Sequence, residues 1–264
     1  MIYADDCDFE TEDPEKKRLI NRIVAETLKT DNLKVNDSKT EHTTIKREKK
    51  RIDEKWRAVK KLGSLLGDSE DVIRRKQLSY SAMNKIKPMW NGRKKVKIDR
   101  RIKAYNALVK SVLLYNSCTW GLTKAETDKL DAHHRKQLRQ LWNRSKMKNK
   151  ELYELSNVKP VSHEIKEARW RMFGHALRLD KETPAQKAME YYFTPKYEYK
   201  QFKGKTRTSL PVVLDRDIKE FHKTNPNSIE MTKFESIEDL QLARTLAKDR
   251  GKWKKIVKTI CNIT

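Results

Sequence analysis

Glycine and proline are rare in this chain, and their scarcity restricts the possible folds more than any other feature. There are 7 Gly and 7 Pro among 264 residues, so few positions favour a tight turn. Beyond Gly67 the apolar residues recur at helical spacing through most of the sequence. The sequence therefore predicts a mainly α protein, in which a small α+β region at 1–66 precedes a helical region.

The α+β region contains one clear helix signal among short apolar segments. Residues 2–9 alternate in a way that is typical of two strands around a turn at Asp5-Asp6. Asp13 is a favourable N-cap and Pro14 a favourable first helical residue, so a helix is predicted to begin there. Residues 33–35 are a candidate short strand.

Polar residues before apolar runs predict where the later helices begin. The expected starts are Asp68 or Ser69, the capping box Thr123-x-x-Glu126, Ser162, and Thr183-Pro184. Two or three short helices are expected to close the chain. The tryptophans at 90, 120, 142, 170 and 253 are expected to be core anchors rather than base-stacking residues.

The charge of the chain indicates its class of partner. The formal net charge is +24, and 37% of the residues are charged. Such an excess is stabilised by a polyanion, and nucleic acid fits best, with an anionic membrane surface as the alternative. No run of 18 apolar residues occurs, so no membrane span is predicted.

The cysteines argue against a disulfide framework. Cys7, Cys118 and Cys261 are odd in number and far apart, which favours a reducing, intracellular compartment. No Cys-x-x-Cys is present. His133 and His134 are adjacent, which is poor spacing for zinc ligands on a helix, so no zinc site is predicted.

The sequence Tyr3-Ala4-Asp5-Asp6 carries the clearest chemistry in the chain. Phosphoryl transfer from a nucleotide uses two divalent cations, which activate the attacking hydroxyl and neutralise the leaving pyrophosphate. Adjacent carboxylates on a sharp turn suit Mg²⁺, although a third carboxylate is usually needed. The alternative interpretation is an acidic surface turn.

These residues, together with those that follow them, resemble the reverse transcriptases of non-LTR, LINE-like retrotransposons. Tyr3-Ala4-Asp5-Asp6 is similar to their polymerase motif C. The stretch from Leu33 to Glu41 resembles the next palm motif, in which Lys39 corresponds to a lysine near the incoming triphosphate. Leu62-Gly63 resembles the primer-grip hairpin.

The resemblance continues through the helical region. Its elements are Arg74 to Trp90, the stretch Leu113 to Trp120 with Asn116 in place of a family glycine, Arg169-Trp170 with Gly174-His175 and Arg178, and Leu246 to Trp253. A basic Gly-Arg-Pro segment of the family is altered here to Gly204-Lys205-Thr206-Arg207. The matches occur in family order along nearly the whole chain.

The resemblance implies an RNA-directed DNA polymerase that binds RNA and DNA and uses Mg²⁺ and deoxynucleotides. Asp5 and Asp6 would be catalytic metal ligands, Tyr3 and Lys39 would contact the nucleotide, and Leu62 and Gly63 would contact the primer. The family's fingers and first catalytic aspartate precede motif C and have no counterpart here. We therefore expect the chain to be a fragment that does not polymerise DNA alone.

The resemblance also implies a division of the chain. Residues 1–66 would be a partial palm with the primer-grip hairpin, and residues 67–145 a helical thumb-like region. Residues 146–190 would be a helical C-terminal region, and residues 191–264 a basic and aromatic loop followed by terminal helices.

Two segments have open interpretations. The basic residues Lys46, Arg47, Lys49, Lys50, Arg51, Lys60 and Lys61 are either nucleic-acid contacts beside the primer grip or a solvated charged face. The aromatic and lysine residues of 191–205 either stack on unpaired bases or pack on the helical body. The alternatives to the polymerase are a non-catalytic basic nucleic-acid-binding helical protein, and a protein with an acidic-membrane or structural-scaffold role.

Overall fold

The computed structural model describes residues 9, 11, 13–43, 55–89, 96–194, 208–226 and 228–261, together with the backbone of 2–3 and 6–7. The described chain is mainly helical, as predicted. It divides into two compact units, Met1–Gly67 and Asp68–Thr264.

The first unit begins with an antiparallel hairpin of β1 (Ile2–Tyr3) and β2 (Asp6–Cys7). Ile2 pairs with Cys7, and Tyr3 pairs with Asp6. The prediction of two strands here is confirmed, but Asp6 belongs to the second strand rather than to the turn. Ala4 and Asp5 lie outside the described residues.

Helix α1 (Pro14–Thr30) begins as predicted, because the Asp13 carboxylate accepts a hydrogen bond from the Glu15 amide at 2.8 Å. None of its residues is buried. The strand predicted at 33–35 is absent from the described structure. The Leu33 amide instead donates to the Leu28 carbonyl at 2.8 Å and closes the end of α1, so it is not available to a strand partner.

A second hairpin ends the first unit. A 3₁₀ turn at Lys55–Ala58 leads into β3 (Lys60–Lys61), which pairs with β4 (Ser64–Leu65) in antiparallel register. Two further backbone bonds extend the pairing, because the amides of Leu66 and Gly67 donate to the carbonyls of Val59 and Arg57.

The described part of the second unit is helical. In chain order its helices are α2 (Asp68–Ile86), α3 (Ile98–Tyr105), a π-helical segment (Asn106–Lys110), α4 (Ser111–Leu113), α5 (Lys124–Trp142), α6 (Asn149–Ser156), α7 (Val161–Leu177), α8 (Pro184–Phe193), α9 (Leu210–Thr224), α10 (Ile237–Lys248) and α11 (Arg250–Ile260). Short 3₁₀ turns follow α2 and α4.

Three clusters of buried apolar residues form the core of this unit. One joins α7 and α9 to α10 and α11 around Trp170 and Trp253. Another joins α2, α3 and α5 around Tyr105. The third surrounds Trp120. The prediction of core tryptophans is confirmed at these three positions, Trp142 is half-buried, and Trp90 lies outside the described residues.

The predicted helix starts are mostly confirmed. Thr123 and Glu126 form the capping box of α5, and Thr183 precedes Pro184 at the start of α8. The prediction for Ser162 was wrong, since Pro160 is the N-cap of α7. The Ser162 amide and hydroxyl both donate to the carboxylate of Asp131 on α5, at 3.0 and 2.7 Å.

Candidate nucleic-acid interface

The N-terminal hairpin carries the predicted metal ligands. Its register brings the backbones of Tyr3 and Asp6 together, and the side chains of both lie outside the described atoms, as does all of Asp5. Among the side chains that are described, no group of three or more His, Cys, Asp or Glu is placed to bind a metal ion. That result does not bear on Asp5 and Asp6.

The second hairpin turns at Leu62 and Gly63, the predicted primer-grip pair. Their φ angles are 44° and 80°, and positive φ at both central residues is typical of the type I′ turn that fits the twist of a hairpin. Gly63 adopts this conformation without a Cβ contact, whereas Leu62 is strained in it. The Leu62 side chain is nevertheless exposed, so it is presented rather than buried at the tip of the turn.

The predicted basic residues are only partly described. Lys60 is exposed and Lys61 half-buried on β3. Lys39 is exposed in a turn that its amide closes by donating to the Asn36 carbonyl at 3.0 Å. The remaining predicted nucleic-acid contacts, Lys46, Arg47, Lys49, Lys50 and Arg51, lie outside the described residues.

A buried polar cluster links α3 to α5. The Tyr105 hydroxyl lies 2.7 Å from His134 Nδ1 and donates to Gln137 at 3.0 Å. Burial lowers the pKa of His134 to about 3, and burial also raises the pKa of Tyr105. Both groups are therefore neutral near pH 7. They stabilise the packing of two helices and have the protonation states of structural groups rather than of an acid–base pair poised near neutrality.

A second buried polar group holds α7 against α9. The Asp217 carboxylate accepts from the Arg169 guanidinium at 3.0 Å and from the Trp170 indole at 3.1 Å. Burial lowers the pKa of Arg169, while the charge of Asp217 opposes that shift. The pair is enclosed on both sides, so it positions helices and is not available to a ligand.

An open groove of about 500 Å³ lies between α7 and α11 and is lined mainly by cationic side chains. From α7 it is lined by Glu167, Arg171, His175 and Arg178. From α11 it is lined by Arg250, Trp253, Lys254, Val257 and Lys258. We call these nine residues the basic groove. It has five Arg or Lys residues against one Glu, so its electrostatic potential favours anions.

The close approach of α7 and α11 depends on Gly174. A Cβ at this position would lie 1.9 Å from the Trp253 indole nitrogen. The indole fits against the bare backbone and donates to the Trp170 carbonyl at 3.1 Å. Glycine at 174 therefore sets the depth of the basic groove, and Trp253 forms its floor from within the core.

Sequence reasoning recognised only half of this groove. On α7, His175 and Arg178 belong to the stretch that resembles the polymerase family, and Arg169 of the same stretch is buried. On α11 the resemblance includes Arg250 but ends at Trp253, before Lys254 and Lys258. The spacing of four residues places Arg250, Lys254 and Lys258 on one face of a helix, a signal that the sequence did contain.

Comparisons with known proteins add no family to this description. No protein-family model, curated protein or solved structure matches the chain. Within the part of the chain that the structure describes, no helix has the length and apolar character needed to cross a membrane.

Proposed function

We propose that this chain is the end of the palm, the thumb and the C-terminal helical region of an RNA-directed DNA polymerase of the non-LTR retrotransposon class. The observation that carries the proposal is the hairpin in which Tyr3 pairs with Asp6. A Tyr-x-Asp-Asp motif needs this local geometry, because a tight hairpin brings neighbouring carboxylates to one end of two strands. A second tight turn at Leu62 and Gly63 supports it.

In this proposal each part of the chain has a role in the polymerase. Asp5 and Asp6 would hold Mg²⁺, since carboxylate oxygens on adjacent residues suit this ion, and the ion would supply charge neutralisation for phosphoryl transfer. Tyr3 and Lys39 lie near the deoxynucleotide, and Leu62 and Gly63 contact the primer. Residues 1–66 are palm, 67–145 thumb-like, and the later helices the C-terminal region.

The polymerase proposal is tested by supplying the parts that the family places before motif C. The chain is joined to the fingers and upstream palm of a LINE-like enzyme, and DNA synthesis on a primed RNA template is measured with Mg²⁺ and deoxynucleotides. Synthesis that is lost on Asp5→Asn and retained on Asp8→Asn supports the proposal. A folded fusion that is inactive with the wild-type residues contradicts it.

A second candidate is non-catalytic nucleic-acid binding by the chain as it stands. The basic groove favours it, and so does the net charge of +24. Affinity for nucleic acid should then fall steeply with salt and depend little on base sequence. Asp5→Ala should leave this binding almost unchanged, which separates it from the polymerase activity. Binding that is absent or insensitive to salt would contradict it.

The free thiols fit an enzyme that works inside the cell. Cys118 and Cys261 are unpaired, and burial raises the pKa of Cys261 to about 12. A buried thiol that stays protonated is inert toward metals and disulfide exchange. We propose an intracellular location, which localisation of a tagged full chain would test.

A further inference from the structure

The cations of the basic groove are arranged as a ladder. Arg250, Lys254 and Lys258 follow one another at intervals of four residues along α11. At 1.5 Å per residue the interval is about 6 Å and the whole ladder about 12 Å. That length corresponds to about three or four phosphates along one strand of a duplex, at about 3.4 Å per nucleotide.

These α11 cations are available to a ligand. Arg250, Lys254 and Lys258 are exposed and form no salt bridge with any described residue. On the opposite wall Arg171 pairs with Glu167, and Arg178 donates to the Ala247 carbonyl at 3.2 Å. The α7 wall is therefore partly neutralised, while the α11 wall has three exposed charges with no counter-ion among the described residues.

The floor of the groove offers no face on which a base can stack. The Trp253 indole is 4% exposed, lies tilted by 41° against the Trp170 ring, and donates from its ring nitrogen to the Trp170 carbonyl. Binders of single strands combine cations with exposed aromatic platforms. A groove that has cations but no exposed Trp, Tyr or Phe favours contacts with phosphates over the stacking of unpaired bases.

We propose that the basic groove binds the phosphate backbone of a nucleic-acid duplex, contacting one strand and reading no base sequence. The proposal deepens the proposed function, since it rests on the chain being a nucleic-acid-binding protein, and it names both the site and the form of nucleic acid. The main contacts come from Arg250, Lys254 and Lys258, with His175 and Arg178 on the facing wall.

The test uses the full chain and two matched double variants on the same helix. Lys254→Gln/Lys258→Gln removes two charges from the groove. Lys252→Gln/Lys255→Gln removes two charges from α11 outside the groove, where both residues line a different depression. Affinity is measured by fluorescence anisotropy over a series of salt concentrations. The probes are a 16-base-pair DNA duplex, an RNA–DNA hybrid of the same sequence, and the matching single strand.

For the groove variant we expect weaker duplex binding. The slope of log K plotted against log salt concentration should be shallower by about two, because two phosphate contacts are lost. The control variant should shift the slope by less than about half as much. The DNA duplex and the hybrid should behave alike, the single strand should bind more weakly, and a duplex of scrambled sequence should bind within about twofold.

Three results would overturn the proposal in distinguishable ways. No salt-dependent binding by the wild-type chain would remove nucleic-acid binding altogether. Normal binding that the groove variant and the control variant reduce equally would remove the groove as the site. A single strand bound as tightly as the duplex, with equal dependence on Lys254 and Lys258, would remove the duplex preference. Circular dichroism of both variants checks that α11 is still folded.

Discussion

The described residues of the units 1–67 and 68–264 differ in how far they are buried. In the first unit α1 has 17 residues and buries none of them, and each hairpin pairs two residues with two. The second unit has three buried apolar clusters. It also has three buried aspartates, each of which accepts a hydrogen bond from another helix or turn. These are Asp71 with Trp120, Asp131 with Ser162, and Asp217 with Arg169.

This contrast separates stability from the proposed chemistry. The motif that predicts metal binding lies on a hairpin of two short strands, and such a hairpin depends on its turn to form. The helical unit has packing that single substitutions should damage strongly. Substitutions at buried positions of the second unit should therefore change the free energy of unfolding. Substitutions in the first unit should have little effect on the stability of the helical unit.

The largest expected effect is that of Asp217→Ala. It leaves the buried Arg169 guanidinium without its counter-ion, and breaking a buried pair from one side destabilises a protein by about 3–5 kcal/mol. Urea unfolding followed by tryptophan fluorescence measures the change. The double variant Arg169→Met/Asp217→Leu should recover much of the loss, because no unpaired charge is left. A loss below about 1 kcal/mol for Asp217→Ala would show that the pair is not buried as described.

A smaller loss is expected for Gly174→Ala. The new Cβ would meet the Trp253 indole at 1.9 Å, so the indole or α11 must shift. Overpacking of this kind typically lowers stability by about 1–3 kcal/mol. The matched control is Gly251→Ala on exposed α11 backbone, where the nearest atom to a Cβ is a carboxylate oxygen at 3.2 Å, and its effect should be below about 1 kcal/mol. Equal effects would contradict the close helix contact.

Thr123→Ala should cost about 1 kcal/mol, since it removes the side-chain half of the α5 capping box. Burial works to raise the pKa of Glu126, but hydrogen bonds from Ser69 and Thr123 outweigh it and hold that pKa below the ordinary 4.5. Stability linked to a depressed carboxyl pKa is present above the unfolded value and is lost as pH falls through the folded value. The difference in the free energy of unfolding between wild type and Thr123→Ala should thus narrow below about pH 4.5, which denaturant unfolding would measure. Thr127→Ala, one turn inside α5, serves as the control. A difference that stays constant or widens toward low pH would contradict the bonded Glu126.

The features that the sequence predicts correctly are those decided by interactions between residues close together in the chain. Asp13 before Pro14 and Thr123 before Glu126 satisfy backbone amides within three residues, so the signal and its partner lie in one window. Ser162 carried the same type of signal and was misassigned, because Asp131 accepts its hydrogen bond from 31 residues away. Local pattern cannot reveal a competing partner on another helix.

The basic groove was missed for the same reason. Its two walls are about 80 residues apart in sequence, and the contact of Gly174 with Trp253 brings them together. Cations spaced by four residues on α11 were visible in the sequence, but a charge run on a single helix is usually a solvated face. Only the packing of α7 against α11 makes it one wall of a concave, cation-lined surface.

The smallest expected effect on stability, Leu62→Gly, bears most directly on the contrast between the two units. Leu62 has a left-handed conformation, which costs a non-glycine residue about 1–2 kcal/mol, and glycine would remove this cost. The greater freedom of glycine in the unfolded chain would cancel about 0.5–1 kcal/mol of that gain. The second hairpin should therefore become slightly more stable, which hydrogen exchange of the Lys61 and Ser64 amides would record, while urea unfolding of the helical unit should not change. Gly63→Ala, at φ 80°, should act in the opposite direction.

The functional consequence of Leu62→Gly should have the opposite sign to its effect on the hairpin. It removes the exposed apolar side chain that we propose contacts the primer, so DNA synthesis by the polymerase fusion should fall although the turn is relieved of strain. Unchanged synthesis would mean that the strained leucine is only a turn residue and has no contact with primer. A fall in both synthesis and hairpin protection would mean that the Leu62 side chain stabilises the first unit, and the separation of stability from function would then not hold there.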